Sequence, residues 1–108
     1  MTHQEMRLNI RYDAPEAIWN KLSQVYEQLD GWIGHGRGGE YGEAGIPYWF
    51  SFNENEKHIL VSVEPGGIQF SGLMDASEWA IWGKEIKKVA TSMLGYKVGE
   101  IETGEVDY

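Results

Sequence analysis

Lys57-His58-Ile59-Leu60-Val61-Ser62-Val63-Glu64-Pro65-Gly66-Gly67-Ile68-Gln69-Phe70 is the stretch that decides the fold. Ile59, Val61 and Val63 recur at every second position, the period of a strand with one buried face. Pro65-Gly66-Gly67 reads as a tight turn, because proline presets its own φ and glycine adopts backbone shapes that other residues avoid. Ile68 and Phe70 define a short return strand, so the segment is an antiparallel hairpin. Upstream, Asn53-Glu54-Asn55-Glu56 is turn chemistry. Before it, Tyr48, Phe50 and Phe52 alternate with Trp49, Ser51 and Asn53. A three-strand meander is therefore expected between Pro47 and Phe70.

The flanks supply helices. Met6, Leu8, Ile10 and Tyr12 alternate with Arg7, Asn9 and Arg11, which predicts a first strand. Asp13-Ala14-Pro15-Glu16 follows as a helix start, with Asp13 placed to cap free N–H groups and Pro15 suited to the first turn. Ile18, Leu22, Val25 and Leu29 form one apolar stripe, and Asp30-Gly31 ends the helix. Asp75-Ala76-Ser77-Glu78 repeats the start signal. Trp79, Trp82, Ile86, Val89, Ala90 and Met93 stripe a second helix that Gly95 stops. From Tyr96 to about Val106, β-forming residues interrupted by Gly99 and Gly104 predict a final edge strand.

Gly31 to Gly45 holds seven glycines in fifteen residues, and the backbone entropy of such a stretch predicts a surface loop. The expected order is β-α-β-β-β-α-β. One apolar stripe per helix and one apolar face per strand predict an α+β fold, with two helices on one face of a mainly antiparallel sheet of about five strands. Trp49 and Leu60 would then stand as apolar residues on the open, polar face, where they offer a route to self-association. Residues 1–108 form a single domain, as 108 residues fall within the usual range of about 50–200.

Composition narrows the function. Seventeen acidic residues against nine basic ones give a net charge of −8. Phosphate binding and anionic membrane surfaces call for the opposite field, so nucleic acid and membrane are not expected partners. A basic protein is. The absence of cysteine removes disulfides, thiolate nucleophiles and Cys-ligated metals. The first residues, Met-Thr-His-Gln-Glu-Met-Arg, lack the basic-then-apolar order of a secretory signal, and a cytoplasmic protein is expected.

Chemistry-bearing motifs are sparse. Gly34-His35-Gly36-Arg37-Gly38-Gly39 matches G-x-G-x-x-G, yet it follows a helix and precedes a strand, the reverse of the dinucleotide-binding context. No cofactor is expected from it. His35 has Arg37, Glu40 and Glu43 nearby, which leaves a small enzyme or ligand-binding domain at loop 31–45 as the alternative function. Asn53 and Asn55 with their glutamates lack the spacing of a calcium loop, and neither a metal site nor a catalytic set is assigned.

The partner-binding candidates are of two kinds. Trp32, Tyr41 and Trp49 fall outside the expected core stripe, and spare aromatic residues are enriched at interface hot spots. Glu100, Glu102, Glu105 and Asp107 follow the last basic residue, Lys97, as an acidic strip suited to a basic partner. A small, cysteine-free, acidic, Trp-rich α+β chain of this kind resembles the immunity proteins of bacterial polymorphic and contact-dependent toxin systems. Ser62-Val63-Glu64-Pro65-Gly66-Gly67 and Glu78-Trp79-x-x-Trp82 are its most distinctive segments. The resemblance implies a cytoplasmic protein that blocks a cognate, often basic, toxin domain by stoichiometric binding.

Overall fold

The computed structural model describes residues 1–107 and has the expected α+β architecture. Strands β1 (Thr2–Leu8), β2 (Trp32–His35), β3 (Pro47–Trp49), β4 (His58–Glu64) and β5 (Gly67–Met74) form one sheet in the order β1-β5-β4-β3-β2. Every pairing is antiparallel. Helices α1 (Glu16–Gln28) and α2 (Ala76–Leu94) pack on each other and share one core with the sheet.

The 57–70 hairpin forms with Ile59 and Val61 inward as their alternation requires, but Val63, beside the turn, is 54 % exposed instead of buried. Glu64 faces Gly67 across the two-residue turn, and Val61 faces Phe70. Ile59, Val61, Ile68 and Phe70 are buried with Leu22 and Val25 of α1 and Ile86 and Ala90 of α2. The opposite sheet face carries Arg7, Ser62, Gln69 and Ser71, all half-buried, as an antiparallel sheet with one solvated face permits. Gly95 ends α2 in the left-handed conformation, with φ 84°.

Five further expectations need correction. First, the glycine-rich stretch is not all loop, because Trp32–His35 is strand β2, paired with β3 through Trp32↔Trp49 and His35↔Pro47. Hydrogen bonding to an existing edge, plus the packing of Trp32, outweighs the entropy cost of its glycine. Second, the terminal strand reduces to one bridge, Leu8↔Glu100, laid along the free edge of β1. The order is therefore β-α-β-β-β-β-α. The Glu105 carboxylate bonds back to the Glu100 N–H at 2.8 Å, and Gly104 turns at φ 80°, so residues 100–105 curl instead of extending.

Third, Trp49 does not stand on the open face. It is fully buried, facing Ile59, with its ring 5.1 Å from Tyr26 and 5.2 Å from Trp82. Its indole N–H donates to the Tyr26 carbonyl, which satisfies the polar atom inside the core. Tyr48 takes the other side, and alternation breaks at Phe50, whose φ is 73°. Self-association through Trp49 is thereby excluded. Fourth, neither aspartate caps its helix by its side chain. Asp13 pairs with Arg11 at 3.0 Å, and Pro15 occupies the cap position of α1. Fifth, β1 begins at Thr2 and ends at Leu8, although Ile10 beyond it remains fully buried and Tyr12 is exposed.

Candidate binding surface

The acidic strip at the chain end is largely neutralised from within. Lys87 on α2 reaches Glu100 at 2.8 Å and Glu105 at 3.2 Å, and Arg7 on β1 reaches Glu102 at 3.4 Å. Lys84 and Lys97 line the same hollow as Lys87 and Glu105. The Glu105 carboxyl is held below the usual range, first by the Glu100 N–H and then, against some burial, by Lys87. Burial works to lower Lys87, but its bonds to Glu100 and Glu105 prevail and raise it. Asp107 is exposed and lies apart, lining a hollow with Asn9, Arg11 and Asp13. Glu100, Glu102 and Glu105 therefore anchor the chain end to β1 and α2.

A different acidic surface is left unneutralised. Between Arg37 and Lys57 the chain carries Glu40, Glu43, Glu54 and Glu56 and no basic residue. All four are exposed, and among the described residues none forms an ion pair. Glu40, Glu43 and Glu54 line an open depression of about 680 Å³ with Tyr41, Phe52 and Asn53.

The loop that carries them is built. Gly36 donates to Ile46 O at 2.8 Å and accepts from Gly45 at 2.9 Å, while Gly38 donates to Gly42 O at 2.8 Å. Tyr48, fully buried beneath it, accepts from the Glu43 N–H and donates to the Glu54 carboxylate, each at 3.0 Å. Burial pushes the Tyr48 phenol up; the Glu43 N–H opposes this and Glu54 adds to it. The phenol thus stays protonated and holds the two acidic segments together. Alternating hydrophobicity marked Tyr48 as a strand residue, but only the folded chain shows that it supports the loop.

The aromatic candidates separate. Tyr41 is 55 % exposed and carries the Arg37 guanidinium 5.0 Å from its ring centre. Trp32 is half-buried against Tyr26 and Trp49, and Trp49 belongs to the core. His35 is exposed at the end of β2 with its ring 5.6 Å from Trp32. His35 and Arg37 engage different rings, and neither lines the depression. Among the described residues no group of His, Asp and Glu is placed to hold a metal ion, and no helix is long and apolar enough to cross a membrane. No protein family, curated protein or solved structure matches this chain.

Proposed function

We propose that this protein is a binding module for a basic protein partner, acting as a cytoplasmic immunity protein that neutralises a cognate toxin domain by stoichiometric binding. The observation that carries this reading is the contrast between two acidic segments. Arg7 and Lys87 pair with the one at the chain end, whereas among the described residues Glu40, Glu43, Glu54 and Glu56 face solvent without an ion pair, near the exposed Tyr41, whose ring carries Arg37. Charged groups left unpaired around a protruding aromatic ring are suited to long-range attraction followed by desolvated contact. The contact surface is thus Tyr41 with the loop glutamates, and the chain-end glutamates serve mainly to hold the scaffold.

The test searches the coding sequences beside its gene for a basic domain, pairs the protein with that domain and measures association by stopped flow across a salt series. One-to-one binding is expected, with an association rate that falls steeply as salt rises. Reversing Glu40 and Glu43 to lysine should slow association at least tenfold while leaving the unfolding midpoint unchanged. Absence of saturable binding to that domain overturns the reading, as does an association rate that the double reversal leaves untouched.

A further inference from the structure

A second feature lies across the 50–57 segment from the acidic loop. Asp30 after α1, Phe50 after β3, Lys57 before β4, Met74 at the end of β5, and Glu78, Ile81, Trp82 and Glu85 on α2 enclose a pocket of about 240 Å³. Small-molecule sites usually run to about 300–1,000 Å³, so this one has the size for a single long side chain. Its apolar wall is Phe50, Met74, Ile81 and Trp82, and Ile81 is 71 % exposed. An isoleucine so exposed beside an apolar pocket is a surface that contact would cover.

The walls are fixed in advance. Phe50 holds φ 73°, a conformation that bulky residues avoid, because its N–H donates to Gly31 O at 2.7 Å and its ring lies against Gly31. The Trp82 indole N–H donates to the Asp30 carbonyl at 3.1 Å, tying the start of the α1–β2 connection to α2. Lys57 sits 4.5 Å from the Phe50 ring centre and pairs with Glu78 at 2.6 Å. That pairing leaves Asp30 and Glu85, from two different elements, as carboxylates without an ion pair among the described residues.

From this geometry we infer that the pocket receives one arginine side chain of a basic protein partner. The aliphatic stem lies along Ile81, Met74 and Trp82, and the guanidinium spans Asp30 and Glu85. Arginine fits better than lysine because its five N–H donors diverge in a plane, so one head serves two separate carboxylates, and because it is more weakly hydrated. The inference deepens the proposed function, on which it rests for the nature of the partner: it names the side chain by which that partner is gripped.

The test needs no partner. In ¹H–¹⁵N spectra the Trp82 indole resonance reports on the pocket directly, and N-acetyl-arginine amide is the probe. Saturable shifts at the Trp82 indole and at the Ile81 and Glu85 amides are expected, with at least tenfold weaker binding in the Asp30→Asn/Glu85→Gln variant. Half a molar salt should weaken it similarly. N-acetyl-leucine amide should bind at least tenfold more weakly, and N-acetyl-lysine amide more weakly than arginine. Equal binding of leucine or lysine amide overturns the assignment, as does an arginine titration that leaves the indole unmoved. Reversal of Glu40 and Glu43 should leave the probe affinity unchanged; absence of partner binding by the unaltered protein with probe binding retained condemns the proposed function and spares the pocket.

Discussion

Gly31→Ala tests whether the Phe50 wall is rigid. A Cβ at Gly31 would lie 2.6 Å from two carbons of the Phe50 ring, and Gly31 itself sits at φ +87°. The left-handed backbone costs a non-glycine residue about 1–2 kcal/mol. Forcing a methyl group into packed surroundings costs about 1–3 kcal/mol more. The expected loss is about 2–5 kcal/mol, a large share of the stability of a small domain. For a chain of this size, at about 4 °C per kcal/mol, that lowers Tm by roughly 8–20 °C. Gly45→Ala is the internal control: φ is +81° there, but no heavy atom lies within 4 Å of the added carbon. It should lose only the backbone contribution, about 1–2 kcal/mol. Urea unfolding followed by tryptophan fluorescence measures both. If the two variants lose equal stability, the Phe50 ring yields freely and a preformed pocket wall is refuted.

Four further outcomes follow from other contacts in the structure. Trp49→Ala should cost about 3–5 kcal/mol, whereas Tyr41→Ala should stay within about 0.5 kcal/mol, and calorimetry that ranks them the other way refutes the face assignment of β3. Tyr48→Phe should cost about 1–2 kcal/mol and speed hydrogen exchange at the Glu43 amide, while amides of β4 remain protected. Because the folded state holds the Glu105 carboxyl low, its stabilisation is present above the ordinary carboxylate pKa and is lost as pH falls through the folded value. Glu105→Gln should therefore flatten the acid limb of the stability–pH curve, and an unchanged limb refutes the bond to the Glu100 N–H. Reversing Glu100 and Glu105 together should destabilise the fold measurably in chemical denaturation, because both accept from Lys87; a neutral result means that this pairing is solvated away.

Two amphipathic helices, a β-hairpin at 57–70 and one shared apolar face were legible in the sequence because each is a local repeat of period 3.6 or 2. The stop at Gly95 was legible too, since a left-handed residue ends a helix through its own backbone. Strand β2 was not, because its residues pair only once β3 offers an edge, and glycine content alone argues for a loop. Which aromatic residue of β3 joins the helix-facing core was likewise hidden: Trp49 pairs with Ile59 and shares its buried face, a register that only β4 supplies, and the positive φ at Phe50 breaks the alternation after it.

Net charge, the expectation of a basic partner and the two-layer architecture came from composition and periodicity, which are properties of the chain read in order. Which carboxylates are left without an internal cation was decided by tertiary structure. Lys87 is thirteen positions before Glu100 and Arg7 is ninety-five before Glu102, yet folding brings each pair within ion-pair distance. Coulomb attraction depends on distance through space, and only the folded backbone sets that distance.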